Sequence, residues 1–197
     1  MVRLRALRRM DSGSRAATKL RATGRVPGSL FSFEGQGERE GRLLLSFDKR
    51  EIMQLYRGLG MYGWACQVFD IDMEDIDGSL KTYRALGRQI HVTASSEEPE
   101  NVTLISFYPG RKVKVNVPLK TFGSEVSPGI KSGGRVNWIR RTIPCVVSSG
   151  QVPTHFEVDI STLAVNDKFL WKELDIPSNV SVLLQDPRQP VLKIARR

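Results

Sequence analysis

The sequence predicts a mainly β protein, and three observations carry that reading. Apolar and polar residues alternate with period two over most of the chain, runs with helical periodicity are few and short, and turn-forming residues punctuate the sequence at short intervals. Residues 2–8, 28–33 and 42–47 alternate or are rich in β-branched and aromatic side chains, as are 64–71, 80–86, 88–93 and 103–108. Asp77 and Gly78 between two of these segments predict a tight two-residue hairpin turn, because such a turn needs positive φ at its centre. Residues 94–101, with three Glu, two Ser and a Pro, predict an exposed acidic loop. Two short helices interrupt the strands. One covers residues 14–22, carries Arg15, Lys19 and Arg21, and ends before Gly24 and Pro27. The other begins after Asp48, whose carboxylate can cap the first turn while Glu51 stands in capping-box spacing and Ile52, Leu55 and Tyr56 form an apolar stripe.

The texture changes near Pro109. Residues 111–118 alternate Lys and Val as a strand with one charged face, and a glycine-rich connecting loop follows at 127–134. Strands are predicted at 135–147, 154–160, 180–184 and 190–194, and an antiparallel sandwich or barrel is the simplest way to assemble them. The predicted domains are 1–108 and 109–197.

Composition narrows the function. Leaving out Tyr and counting the 17 glycines, the apolar share is about 47%, a globular value that excludes disorder of the whole chain. No segment approaches the roughly 18 apolar residues of a membrane-spanning helix. Cys66 and Cys145 lack zinc-site or disulfide-framework spacing and fit small buried hydrophobes. The start of the chain lacks the apolar stretch of a secretory signal. Only two histidines occur, His91 and His155, and no nucleophile–base pair stands out, so an enzyme is not expected and no cofactor is implied. The carboxylates from Asp70 to Asp77 lack the glycine and terminal glutamate of a calcium loop, and the glycines at 129, 133 and 134 lack phosphate-loop spacing.

The net charge of +9 is unevenly distributed. Residues 1–27 carry eight Lys or Arg against Asp11 alone, a net +7; residues 28–109 hold eight basic and thirteen acidic groups, net −5; residues 110–142 hold eight basic groups and Glu125, net +7 again. A solvated face mixes both signs, whereas a segment that almost excludes acid fits a polyanion. Arg3, Arg5 and Arg9 on the first strand, with Arg15, Lys19 and Arg21 on the helix and Arg25 beyond it, are expected to form one positive surface for nucleic-acid phosphates. RNA suits it better than DNA if the helix enters a distorted groove. Phe31 and Tyr83 are either stacking platforms or core.

These residues carry a resemblance. Gly13-Ser-Arg-Ala-Ala-Thr-Lys-Leu-Arg21, followed by Gly24-Arg-Val-Pro-Gly-Ser-Leu-Phe31, resembles the opening of the bacterial large-subunit ribosomal protein family that binds 5S rRNA and includes general stress protein Ctc. Val117-Pro-Leu-Lys-Thr-Phe-Gly123, Pro128-Gly-Ile-Lys-Ser-Gly-Gly134, Val158-Asp-Ile-Ser-Thr-Leu163 and Leu174-Asp-Ile-Pro-Ser-Asn-Val180 resemble, in order, that family's C-terminal domain. The resemblance implies an N-terminal six-stranded barrel that grips 5S rRNA, a C-terminal β-rich domain that meets neighbouring large-subunit proteins, and no catalysis. It places RNA contacts on Arg9, Lys19, Arg21 and Phe31, and on the run of Arg88, Gln89 and His91. Ile90 and Val92 stand where the family has a basic residue and Pro, Leu104 and Ser106 replace its His and Asp, and Ser14 and Thr18 replace two basic residues of the helix. Electrostatic rRNA binding is thereby retained while base-specific recognition is weakened, a pattern that suits a ribosome with altered or absent 5S rRNA. The expected function is a structural, rRNA-binding constituent of the large ribosomal subunit, the alternative being a free RNA-binding stress factor. The basic balance of the chain favours a mitochondrial ribosome over a bacterial one.

Overall fold

In the computed structural model, which describes residues 2–32, 41–108, 112–147 and 151–196, six strands of the first half close on themselves. They are β1 (Val2–Arg8), β2 (Arg25–Ser32), β3 (Gly41–Asp48), β4 (Val68–Glu74), β5 (Leu80–Val92) and β6 (Pro99–Ser106), with α1 (Ser14–Ala22) after β1 and α2 (Lys49–Trp64) after β3. The barrel order is β1-β3-β2-β6-β5-β4, parallel where β1 meets β4 and β2 meets β6, and antiparallel elsewhere. Closure leaves no unpaired edge. Alternation decides what fills it: Leu4 and Ala6 of β1, Leu45 and Phe47 of β3, and Phe69, Ile71 and Met73 of β4 are buried, while Arg3, Arg5 and Asp70 to Glu74 at every second position point outward. The mainly β class and the closed six-stranded barrel agree with the sequence reading.

Details differ from it. Residues 64–67 are not strand, because α2 continues to Trp64, whose ring is fully buried 4.8 Å from that of Phe69. Packing of this large ring overrides the poor helix propensity of Gly58, Gly60 and Gly63, and the helix only kinks where Gly60 takes φ 66°. The segments at 80–86 and 88–93 are one strand, β5, whose register shifts between Gly87 and Gln89. Glycine is required at this bulge, since a Cβ on Gly87 would collide with the Trp64 carbonyl oxygen. The acidic loop is shorter than residues 94–101, because Pro99 is buried and already opens β6.

The turn between β4 and β5 is a three-residue loop. The Gly78 N–H donates to the Asp75 carbonyl at φ 74°, and Asp75 and Ser79 remain paired, which fits a turn followed by a glycine bulge. Within it the Asp75 carboxylate accepts from the Ile76 N–H (2.8 Å), from Lys81 Nζ (3.2 Å) and from Arg8 Nη1 (2.9 Å), and these contacts, led by Ile76, hold its pKa below the usual value. A depressed carboxyl pKa stabilises the fold above the unfolded-state value and loses that contribution as pH falls through the folded one. Asp75→Asn is therefore expected to lower the unfolding temperature near pH 7 and to lower it less near pH 2, because the carboxylate's contribution declines as pH falls through its folded-state value. Thermal melts at both pH values check this, and an equal loss at both would overturn it.

The chain divides into two compact units, Met1–Arg111 and Lys112–Arg197; the composition change at Pro109 lies outside the described residues. The second unit contains β7 (Val113–Phe122), α3 (Pro128–Lys131), β8 (Arg135–Trp138), β9 (Thr142–Val147), β10 (Phe156–Asp159), β11 (Lys168–Leu170), β12 (Val180–Val182) and β13 (Pro190–Ala195). They form a four-stranded sheet, β10-β7-β9-β12, and a three-stranded sheet, β11-β13-β8. The expected strand at 135–147 is thus two strands in different sheets, and the pairing is not wholly antiparallel, because β10 runs parallel to β7. The glycine-rich loop is structural. Ser127 caps α3 by accepting from the Ile130 N–H, and a Cβ on Gly129 would lie 2.8 Å from the Leu163 carbonyl oxygen. Cys66 and Cys145 are both buried, and burial pushes the Cys145 thiol up to about 11.

Candidate nucleic-acid interface

The basic helix α1 buries none of its residues fully, and Ala16, Ala17 and Leu20 are half-buried. It is tethered at its ends. Gly13, at φ 96°, starts it in a conformation open to glycine, and Arg21 Nε donates to the Glu100 carbonyl on β6 (3.0 Å). This mounts Arg15, Lys19 and Arg21 as exposed cations beside β2, β3 and β6. Arg9, just past β1, is tied down by donating Nε to the Leu45 carbonyl (3.0 Å) and Nη1 to the Asp11 carbonyl (2.9 Å).

Between α1 and the barrel lies a cleft of about 500 Å³ lined by Arg9, Arg21 and Arg42, with Ser14 and Asn101 among its polar groups. Burial, then the neighbouring Arg42 charge, lowers the Arg9 pKa, opposed by Asp11. Such a cleft attracts an anion.

Beside it, strand register assembles an outward face. Arg42 of β3 pairs with Phe31 of β2, and Phe31 pairs with Ile105 of β6; Ser29 pairs with Thr103, which pairs with Gln89 of β5; His91 pairs with Asn101. Gln89 and His91 are exposed, as is Arg88 at the bulge. Phe31 is half-buried with the Arg42 guanidinium 5.6 Å from its ring centroid, and Arg42 donates Nε and Nη2 to Ser29 Oγ. Phe31, Gln89 and His91, distant in sequence, thus share one sheet face that borders the arginine cleft.

Other basic residues of the first block stand elsewhere. Arg3 pairs across β4 with Asp70 and Arg5 with Asp72, and Arg5 joins Asp48, Glu51 and Glu74 in lining a different, mainly acidic pocket. There burial, reinforced by Asp48, pushes the Glu51 carboxyl up, opposed by the Arg5 charge and backbone N–H. Arg25 is half-buried and donates Nε to Ser46 Oγ (3.1 Å) and Nη2 to the Ser46 carbonyl (2.9 Å). Tyr83 packs against the barrel core. Leu104 is core, and Ser106 Oγ donates to the Phe31 carbonyl (3.0 Å), so neither presents a polar group outward.

Sequence reasoning missed Arg42. It lies in a segment of mixed charge, and only its pairing with Phe31 across a long connection brings it to the cleft. The signal was the position of Arg42 one step before the apolar run of β3, where alternation turns it outward.

The model of the ribosomal L25p family matches residues 4–104, and that of the C-terminal domain of ribosomal protein TL5 matches residues 112–197. A protein of Rhodopseudomonas palustris (strain TIE-1) named large ribosomal subunit protein bL25 is 28% identical over 187 residues, covering 94% of this chain and 75% of its own. Proteins of the same name from Bradyrhizobium diazoefficiens (28% over 183 residues, 93% and 71%) and Gluconobacter oxydans (29% over 167 residues, 84% and 71%) are similarly related.

Proposed function

The chain belongs to the ribosomal L25p family, and from that premise we infer that it is a structural constituent of the large ribosomal subunit, not an enzyme, and works by binding rRNA. The observation that carries the mode of binding is the arginine cleft beside the face of Phe31, Gln89 and His91. In this reading Arg9, Arg15, Lys19, Arg21 and Arg42 neutralise phosphates, while Gln89, His91 and Arg88 meet base edges and Phe31 offers a ring edge beside the Arg42 guanidinium. Arg3, Arg5 and Arg25 contribute at most a diffuse positive field, because carboxylates oppose the first two and Ser46 engages the third. We propose 5S rRNA, or the site it occupies, as the partner; for the compartment we propose the mitochondrial ribosome, supported by the charge of +9 and by Leu104 and Ser106 in place of the family's His and Asp, which suits a ribosome with altered or absent 5S rRNA.

Sedimentation through sucrose gradients separates this reading from that of a free RNA-binding stress factor. The protein is expected in the large-subunit peak at native salt and should persist there in high salt. Absence from that peak at native salt overturns the ribosomal reading. Imaging a C-terminal fusion in the source cell tests the compartment, with exclusion from mitochondria as the overturning result.

A further inference from the structure

β10 is the outermost strand of its sheet, with β7 on one side and no described strand on the other. In a parallel pair, alternate residues turn both N–H and C=O toward the same neighbour. The Ile160 N–H donates to the Phe122 carbonyl (3.1 Å), so by alternation Phe156 and Val158 are turned to β7, and Glu157 and Asp159 to the open side. Among the described residues no backbone hydrogen bond uses those outward groups. The edge opens onto a cleft of about 490 Å³ whose apolar walls are Phe156, Phe169, Pro153 and Pro177, with Phe122, 49% exposed, beside them. Glu157, Asp159, Glu173 and Asp175 also line it, with His155, whose Nε2 lies 3.7 Å from Glu157 Oε1; no Lys or Arg lines it, in a chain of net charge +9. Lys120 stands in register beside Glu157, and among the described residues the charged partner of Glu157 is His155.

We propose that this edge and cleft take up an extended segment of a basic protein, which adds to β10 as a further strand. A strand laid there alternates its side chains. One set would flank Glu157 and Asp159, where a cation is favoured and a phosphate repelled; the other would face Phe156 and Phe169, which favour apolar groups. The matching sequence therefore alternates Lys or Arg with aliphatic residues. Four carboxylates exclude RNA as the occupant on the same electrostatic ground that brings RNA to α1. The site lies wholly within Lys112–Arg197 and does not depend on the rRNA reading of the first unit.

The test uses the full chain and a fluorescent octapeptide, Lys-Val-Lys-Leu-Lys-Val-Lys-Leu, followed by anisotropy at physiological salt. Three controls accompany it: octalysine, the same peptide with glutamate for lysine, and the lysine peptide N-methylated at alternate amides. The lysine peptide is expected to bind, and the other three to bind much more weakly. Reversing two exposed charges, Glu157→Lys with Asp175→Lys, should weaken it on the order of tenfold, the effect of a few surface charge contacts. Alanine at Arg15, Lys19 and Arg21 should leave peptide binding unchanged, so failure here and failure of the rRNA reading are separate results. Thermal melts confirm that the charge-reversal variant folds. Equal binding of octalysine, no loss in the double variant, or displacement of the peptide by an RNA oligonucleotide would each overturn the proposal.

Discussion

Replacing Arg15, Lys19 and Arg21 with alanine is expected to shrink the slope of log affinity against log salt by roughly 2–3 units in rRNA binding, since each lost phosphate contact removes about 0.7–0.9. All three side chains are exposed on a helix that buries none of its residues, so their removal leaves the barrel core untouched. Arg21 alone has a second role, through its bond to the Glu100 carbonyl, and a thermal melt of the triple variant checks that α1 stays docked. Gln89→Ala with His91→Ala is the contrasting variant. Neither residue is a Lys or Arg aimed at a phosphate, so the slope should hold while discrimination between cognate and altered rRNA falls by on the order of 1 kcal/mol, the low end for a base contact. Binding over a salt series reads both effects. An unchanged slope in the triple variant would remove α1 as the grip and pass the role to the basic residues from Lys112 to Arg141.

Trp64→Ala should cost about 3–5 kcal/mol of stability, the range for deleting a large buried aromatic ring. Trp64 is fully buried, stacks at a tilt on Phe69 and has its carbonyl oxygen against Gly87, so it joins α2 to two strands of the barrel at once. Its indole N–H has no hydrogen-bond acceptor among the described residues. Trp64→Phe keeps a ring on Phe69 and removes that unsatisfied donor, and should cost only about 1–1.5 kcal/mol. Urea unfolding at constant m-value separates the two variants. Equal losses would show that the indole N–H, not the ring, matters; a loss below about 1 kcal/mol for Trp64→Ala would place the end of α2 outside the core.

Much of this protein was legible residue by residue. The alternation of Leu4 and Ala6 with Arg3 and Arg5 marks β1, and Asp48 marks the start of α2 because its carboxylate accepts from the Arg50 and Glu51 N–H groups, as its spacing promised. The basic helix was visible for the same local reason: Gly24 and Pro27 end it, and its charges follow one another in sequence. Trp64 was misassigned because a short apolar run looks alike in a helix end and a strand, and only burial against Phe69 separates them. The three-residue β11 carried too little pattern to be seen.

Local sequence by itself determined the strand-rich class, the two helix starts and the concentration of charge at the N-terminus, because each depends on neighbours within a few positions. Tertiary structure alone decided which cations lie together. Register across β3, β2, β6 and β5 sets Arg42 against Phe31 and brings Gln89 and His91 onto their face, while the parallel pairing of β1 with β4 sets Arg3 and Arg5 against Asp70 and Asp72. Charge is a property of composition, but potential depends on distance, and pairing between strands far apart in sequence fixes the distances.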